Sequence, residues 1–185
     1  MSVIPKHAKK VFDGVIFDVF QWDQEMYDGT TAVFERARKT YSSMVIPYVD
    51  GKIIITKQQQ PSKAEPYYAL IGGRVEKNET PLENAHKELR EEAGLECPNL
   101  TEIAEFENGF NLDYKCFLYL AKDCIKVGEQ QLDSGEKIEL MSVSADEFMN
   151  MLKTNKLQES RMLKLMFENE MSEACANRIR GKITF

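Results

Sequence analysis

The sequence contains few of the residues that build a zinc site. Only two histidines occur among its 185 residues. Its cysteines are equally unpromising, because none of them forms a Cys-x-x-Cys pair: they are Cys97, Cys116, Cys124 and Cys175. Structural zinc sites usually draw on such pairs. We therefore expect reduced thiols with a structural role rather than metal ligands.

Long apolar runs are also missing. No stretch approaches the roughly 18 consecutive apolar residues that a membrane-spanning helix requires, and residues 1–10 lack the apolar core of a secretion signal. These absences predict a cytoplasmic protein without a membrane partner.

Excess positive charge is absent as well. The formal net charge is -6 and the isoelectric point is near 5.1. Proteins that bind the phosphate backbone of nucleic acids usually present a basic surface. We therefore expect no nucleic-acid partner, and we expect a polyanionic small-molecule substrate to need a metal ion.

What the sequence does contain fits one globular domain. A chain of 185 residues with 43% hydrophobic content can bury one substantial core. Strand-like and helical segments are mixed without regular alternation, which favours an α+β fold over a doubly wound one. Residues 1–40 are predicted to form a strand or hairpin arm of this domain, and residues 41–185 its main body.

The arm and the sheet are predicted from β-branched runs and turn residues. In the arm, Val11–Phe20 is rich in Val, Ile and Phe, and Asp28-Gly29 is a turn signal between two strand-like runs. Asp50-Gly51 marks a second hairpin. The remaining predicted strands are Ser43–Val49, Lys52–Thr56, Tyr67–Ile71, Leu100–Glu107, Lys115–Ala121 and Lys137–Val143, and helical spacing occurs in Ala145–Lys153 and Ser160–Ala176.

One helix has clear signals at both ends. Thr80 suits the N-cap, Pro81 suits the first helical position, and Glu83 stands three residues after the threonine, as in a capping box. Gly94 can end the helix in a left-handed conformation. The predicted helix is Pro81–Ala93.

This helix is rich in carboxylates. Glu88 lies one turn from Glu91 and Glu92, so the three side chains would repel each other on one face without a counter-ion. A divalent cation such as Mg²⁺ prefers oxygen ligands and would supply the missing charge. A solvated acidic helix face, interspersed with Lys87 and Arg90, is the alternative when the charges are considered alone.

The spacing of the fixed positions favours the metal site. Gly73, Glu79 and the run Lys87–Leu95 resemble the Nudix box, Gly-x5-Glu-x7-Arg-Glu-(aliphatic)-x-Glu-Glu-x-Gly-(aliphatic). The one departure is Lys87, where the family has arginine, so the charge is kept but the planar fork of arginine is lost.

The resemblance implies an α/β/α sandwich with a mixed sheet and an enzyme that uses Mg²⁺ or Mn²⁺. It also implies metal-assisted attack of water on one phosphorus of a diphosphate. The implied metal ligands are Glu88, Glu92 and the carbonyl of Gly72, with Glu91 as a further ligand or the base. Glu79 and Lys87 would orient these ligands.

A later loop supplies the general base or another ligand in several branches of the family. Here the corresponding segment is Val127–Lys137, and Glu136 is the first candidate, followed by Asp133 and Glu129. No fixed spacing ties these acids to the box, so ordinary exposed loop carboxylates are the alternative.

Outside the box, the chain resembles the ADP-ribose/ADP-sugar pyrophosphatase branch, which implies a homodimer. Trp22 or Tyr27 could stack on adenine, although Trp22 could instead anchor a core or a dimer interface. Lys57 and Arg74 are further candidate substrate contacts.

Two departures from the branch keep the substrate open. Tyr68–Ile71 replaces a glutamate-proline pair before the box, and Lys57–Gln60 replaces arginines. Another nucleoside diphosphate sugar, a dinucleotide, a nucleoside triphosphate or a damaged nucleotide are the alternative substrates. A Nudix-fold sensor that binds a nucleotide without turnover is the alternative function.

Overall fold

The structure is a computed structural model that describes residues 4–108, 111–160 and 162–163. Two compact units are present: one comprises Met1–Tyr41 and Glu107–Cys116, and the other comprises Ser42–Phe106 and Phe117–Phe185. Strands and helices are mixed, so the α+β prediction is confirmed. Among the described residues, no helix has the length and apolar character that crossing a membrane would take.

The first unit contains an antiparallel three-stranded meander. Its strands are β1 Lys9–Asp13, β2 Phe17–Glu25 and β3 Thr31–Lys39. The predicted run Val11–Phe20 is divided between β1 and β2, because the Gly14 amide donates to the Phe17 carbonyl at 3.1 Å and closes a turn. The turn predicted at Asp28-Gly29 is confirmed, with Gly29 at a φ of 82°.

The second unit is built on a sheet in which β5 lies between β4 and β12 and pairs antiparallel with both. The strands β9 and β10 contribute residues to both units. The remaining strands in chain order are β4 Ser42–Val49, β5 Lys52–Gln59, β6 Tyr67–Ala69, β7 Ile71–Arg74, β8 Leu95–Glu96, β9 Asn99–Asn108, β10 Leu112–Lys122, β11 Ile125–Lys126 and β12 Lys137–Val143.

Two connections in this sheet bear on the predictions. The hairpin at Asp50-Gly51 is confirmed, and both residues have positive φ, 49° and 79°, as a tight two-residue turn requires. The predicted single strand Tyr67–Ile71 is wrong, because the chain changes partner at Leu70. Strand β6 pairs with β5 before that residue, and β7 pairs with β4 after it.

The two described helices are α1 Pro81–Ala93 and α2 Ala145–Lys153, and both match their predicted bounds. Helix α1 contacts β7 and β4, whereas α2 contacts β5. Side chains alternate along β5, so Ile54 packs against the α1 core while Ile53 and Ile55 are buried on the other face. This arrangement is the expected sandwich. The helix predicted at Ser160–Ala176 lies almost entirely outside the described residues.

Both predicted caps of α1 are present. The Thr80 hydroxyl accepts the Glu83 amide at 3.2 Å, and the Glu83 carboxylate accepts the Thr80 amide at 2.7 Å. Gly94 has a φ of 63°, and its amide donates to the Arg90 carbonyl at 2.8 Å. Since a cap of this kind contributes about 1 kcal/mol, these contacts fix where the acidic helix begins and ends.

Candidate active site

The inner side of α1 carries three polar residues spaced four apart: Asn84, Glu88 and Glu92. This spacing places them one turn above another on the same face. The apolar stripe beside them, Ala85, Leu89 and Ala93, is fully buried in the core against β4 and β7. The helix is therefore held against the sheet with its acids directed toward the glycines of β7.

Glu92 is the most deeply buried of these acids, with 4% of its surface exposed. One carboxylate oxygen accepts the amide of Gly72 at 3.0 Å. Burial raises the pKa of Glu92 to about 8, and the negative charges of Glu88 and Glu136 push it in the same direction. A carboxyl in these surroundings is ready to exchange its proton for a cation.

Glu88 is packed against Gly73. A Cβ atom at position 73 would overlap the Glu88 carboxylate, so only glycine leaves room for it. Burial raises the pKa of Glu88 to about 7, although Lys87 and Asn84 act against this rise. The charges of Glu91 and Glu136 add to the rise. Glu91 itself is half-buried on the neighbouring side of α1.

Asn84 links the parts of the site, and the sequence analysis missed it. Its side chain is fully buried, and its amide nitrogen lies 3.0 Å from the Arg74 carbonyl, 3.1 Å from Glu79 and 3.3 Å from Glu88. Its side-chain oxygen accepts the hydroxyl of Ser43. The signal was available in the sequence, because Asn84 stands one helical turn before Glu88.

Glu79, which precedes α1, forms an ion pair with Lys87 on the helix. The Lys87 ammonium lies 3.1 Å from Glu79 and 3.0 Å from Glu76. Burial pushes the pKa of Glu79 upward, but the Glu76 amide and Lys87 outweigh this effect and leave the pKa lowered. Glu79 is therefore a stable carboxylate that shares Asn84 with Glu88.

Gly72 has a backbone conformation that favours glycine, with a φ of 148°. A Cβ atom there would collide with the backbone carbonyl of Ser43 on β4. In this conformation the Gly72 amide donates to Glu92. The role of the Gly72 carbonyl as a metal ligand stays a prediction.

The loop between β11 and β12 is attached to the C-terminal end of α1. The Gln131 amide donates to the Glu91 carbonyl at 2.8 Å, and the Gln130 side chain donates to the Glu92 carbonyl at 2.7 Å. The Val127 amide donates to the Gly94 carbonyl at 2.9 Å. These bonds satisfy carbonyls that a helix end leaves without partners.

The same loop brings Glu136 near the acids of α1. Its charge contributes to the raised pKa of both Glu88 and Glu92, so it lies within their electrostatic reach. One oxygen of Glu136 accepts the Asp133 amide at 3.2 Å, which fixes the end of the loop. Asp133 thus shapes the position of Glu136, and Glu129 is exposed further up the loop.

The two cationic candidates for substrate binding, Arg74 and Lys57, lie on different strands. Arg74 is exposed at the end of β7. Lys57 is exposed on β5, 4.0 Å from Glu139, and lines a cleft of about 220 Å³ with Lys137. In the described part of the chain, its ion-pair partner is Glu139 on β12 rather than an acid of α1.

The aromatic candidates lie in the first unit. Trp22 on β2 is half-buried beside Phe34, with ring centroids 6.1 Å apart, and its ring nitrogen donates to Gln24 at 3.1 Å. Tyr27 lies fully exposed in the turn between β2 and β3. An exposed ring has a face available for stacking, but the roles of both residues stay predictions.

A further carboxylate, Glu159, escaped the sequence analysis. It follows α2, and one of its oxygens accepts the Leu70 amide at 3.2 Å. Burial raises the pKa of Glu159 to about 7. Its charge also contributes to the raised pKa of Glu92. No motif spacing connects residue 159 with the box, so only the folded chain reveals this proximity.

The residues around Glu92 fit a divalent cation. Within residues 4–108, 111–160 and 162–163, no three acidic, imidazole or thiol groups already converge as a ready-made metal site. Burial raises the pKa of both Glu88 and Glu92, so a bound cation would stabilise the two carboxylates in their charged form. Mg²⁺ needs few protein carboxylates, because waters and substrate phosphates complete its shell.

Comparisons with known proteins show what the chain is similar to. The family model of the NUDIX domain matches residues 39–166. The chain is 27% identical over 157 residues to a protein of Bacillus subtilis (strain 168) described as ADP-ribose pyrophosphatase, covering 83% of this chain and 84% of that protein. It is 26% identical over 171 residues to the methanol dehydrogenase activator of Bacillus methanolicus, covering 90% of this chain and 92% of the relative.

A solved structure described as ADP compounds hydrolase has the same fold. It superposes with a TM-score of 0.68 at 19% sequence identity and covers 90% of this chain and 94% of that one. The likeness extends across nearly the full length of both chains.

Proposed function

Because the chain belongs to the NUDIX domain family, we propose that it is a hydrolase of the diphosphate linkage in ADP-ribose or another nucleoside diphosphate sugar. The observation that carries the proposal is the pair of carboxylates directed at the glycines of β7, the half-buried Glu88 and the buried Glu92. The likeness to ADP-ribose pyrophosphatase over 83% of the chain supports the choice of substrate.

Three groups of the site would hold the cation: the carboxylates of Glu88 and Glu92 and the carbonyl of Gly72. Mg²⁺ is our proposed ion, with Mn²⁺ as the substitute. When bound, the cation supplies the positive charge that polarises the diphosphate and makes water a better nucleophile at neutral pH. Glu79 and Lys87 hold the N-terminal part of the site in place, since Glu79 accepts the Asn84 amide that also reaches Glu88, and Lys87 pairs with Glu79.

The reaction needs one proton acceptor. The oxygen of water bonds to one phosphorus, the bridging P–O bond breaks, and two monophosphate products leave. We propose that Glu136 accepts the proton that the water releases, because the charge of Glu136 acts on both Glu88 and Glu92. Glu91 is the second candidate for this role, and otherwise a further ligand.

The remaining candidates would recognise the nucleotide. Arg74 stands at the end of the strand that carries Gly72 and suits a phosphate, since its guanidinium can donate two parallel hydrogen bonds. Lys57 is a second cationic candidate. Trp22 and Tyr27 offer aromatic faces for a base.

We also propose that the protein is a cytoplasmic homodimer that associates through its N-terminal arm, residues 1–40, while residues 41–185 form the catalytic domain. Large apolar side chains are exposed on the strands and turns of the arm, which supports an interface there. They include Val11, Phe12, Val15, Ile16, Phe17, Val33 and Phe34. Among the described cysteines, Cys97 and Cys124 carry thiols rather than disulfides, which agrees with a reducing compartment.

The test is a substrate panel with the purified full chain. ADP-ribose, other nucleoside diphosphate sugars, dinucleotides and nucleoside triphosphates are each assayed for product release with Mg²⁺, with Mn²⁺ and with a chelator. Metal-dependent cleavage of an ADP-sugar would support the proposal. Preference for another nucleotide would overturn the substrate assignment, and tight binding without any cleavage would favour a nucleotide sensor.

A further inference from the structure

Two backbone amides of one chain segment are bound by carboxylate side chains. Leu70 donates to Glu159 at 3.2 Å, and Gly72 donates to Glu92 at 3.0 Å. In extended chain, residues two apart direct their amides to the same side. The segment is also joined to β4, where Ile71, Gly72 and Gly73 pair with Val45, Met44 and Ser43.

Leu70 occupies the point at which the segment changes partner. Ala69 is the last residue of β6 and pairs with Thr56 on β5, whereas Ile71 begins β7 on β4. A residue between two ladders lacks the regular backbone acceptor that either ladder would supply. The Glu159 carboxylate provides that acceptor from outside the sheet.

Glu159 is itself held in place by the two residues that precede it. Leu157 forms a parallel bridge with Tyr68, and the Gln158 amide donates to the Tyr68 carbonyl at 2.8 Å. The carboxylate therefore reaches Leu70 from a backbone that is already tied to β6. Because this backbone is held, the Glu159 carboxylate has a fixed position and can in turn fix the position of Leu70.

We propose that Glu159 is a positioning residue of the hydrolytic site. By accepting the Leu70 amide, it fixes the segment Leu70–Gly72, and thereby places the Gly72 amide and carbonyl opposite Glu92. The inference rests on the proposed function, because it concerns the strand that would help to hold the cation.

The chemical environment explains why this acceptor matters. The Glu159 carboxyl is withdrawn from water, and burial raises its pKa to about 7. Lys63 partly offsets the cost of its charge. Burying this carboxylate costs free energy. Its hydrogen bond to the Leu70 amide offsets the cost, because a buried amide without an acceptor would also destabilise the fold.

Two substitutions separate the acceptor from the charge. Glu159→Gln keeps an oxygen at the same reach but removes the charge. Glu159→Asp keeps the charge but withdraws the oxygen by one methylene from Leu70. The neighbouring Gln158→Ala serves as the matched control, because its exposed side chain contacts Lys63 and its backbone bond to Tyr68 survives.

Each variant is measured in two ways. Hydrogen exchange reports the protection of the Leu70 and Gly72 amides without any substrate. Steady-state kinetics report kcat, KM and the Mg²⁺ concentration that gives half-maximal rate. We expect Glu159→Gln to keep amide protection and a kcat within about threefold of wild type. We expect Glu159→Asp to exchange these amides faster, to lose tenfold or more in kcat, and to need more Mg²⁺ with little change in KM.

The reverse pattern, an impaired Glu159→Gln and an intact Glu159→Asp, would overturn the proposal and assign the effect to charge. Wild-type exchange and kinetics in both variants would overturn it as well. If the wild-type protein hydrolyses no nucleotide, the proposed function fails on its own. The exchange of Leu70 and Gly72 still decides whether Glu159 holds the segment.

Discussion

The acids of α1 contribute to the way in which the stability of the protein depends on pH. Burial raises the pKa of Glu88 to about 7 and of Glu92 to about 8, against an ordinary value of 4.5. The folded state therefore holds these protons more tightly than the unfolded state. Their contribution to stability is full below about pH 4.5 and is lost as the pH rises through 7 to 8.

We predict that the melting temperature of the protein in chelator falls between pH 5 and pH 9. Each proton held only by the folded state contributes a slope of about 1.4 kcal/mol per pH unit. Glu92→Gln should flatten the profile, and Mg²⁺ should restore the melting temperature of the wild type at high pH. Identical profiles for wild type and Glu92→Gln would contradict the burial of this charge.

The same substitution tests the catalytic assignment. Glu92→Gln keeps the size of the side chain but removes one ligand charge, so we expect kcat to fall by roughly two to four orders of magnitude. Circular dichroism should show an unchanged fold. Glu96→Gln, which alters an acid beyond the end of the helix, is the control and should keep wild-type kcat. Full activity of Glu92→Gln would remove the proposed metal site.

Lys87 is the position at which this chain departs from the Nudix box. Its ammonium holds Glu79 at 3.1 Å, and we expect Lys87→Ala to lower kcat by roughly tenfold to a hundredfold. Lys87→Arg should stay within a few fold of wild type, since a guanidinium can hold the same carboxylate. The exposed Lys77→Ala is the control. Equal losses in the alanine and arginine variants would contradict a role based on charge.

At the scale of elements, two adjacent glycines of β7 should respond differently to alanine. At Gly73 the added Cβ meets the flexible Glu88 side chain, whereas at Gly72 it meets the backbone of β4. We expect Gly73→Ala to fold with a melting temperature near wild type but to lose most of its activity. Gly72→Ala should lose both stability and activity. Thermal unfolding and kcat distinguish these outcomes, and an active Gly73→Ala would contradict the packing of Glu88 against β7.

Local signals explain which elements the sequence predicts well. The bounds of α1 follow from Thr80, Glu83 and Gly94, because caps act within a few residues of the chain. The change of partner at Leu70 depends on pairing with β4 and β5, which lie outside this segment of the chain, so no local pattern reports it. The same reason hides Glu159, and it explains why Glu136 could only be suspected from a loop.

Asn84 is an intermediate case. Its position one turn before Glu88 follows from helical periodicity alone, but its contacts with Ser43 and the Arg74 carbonyl need the sheet. The sequence therefore predicts the row of acids and the helix that carries them. The partners that hold this row in place come from tertiary packing.

At the scale of the whole molecule, the proposed homodimer can be tested directly in solution. We predict a mass in solution of about twice the 21.3 kDa of one chain. Val15 is 92% exposed in the arm, so Val15→Asp should shift the protein toward the monomer if the arm forms the interface. Light scattering after gel filtration measures both. A monomeric wild type would contradict the proposed homodimer.

The bonds between residues 127–131 and the end of α1 set a boundary for engineering the loop. Residues 127–131 contact the last carbonyls of the helix, and Gly128 lies close to Gly94. Only the stretch from residue 132 to Glu136 then determines how far the loop acid extends toward Glu92. A loop grafted from a relative to change substrate range should therefore begin after Gln131 and keep the native spacing to residue 136.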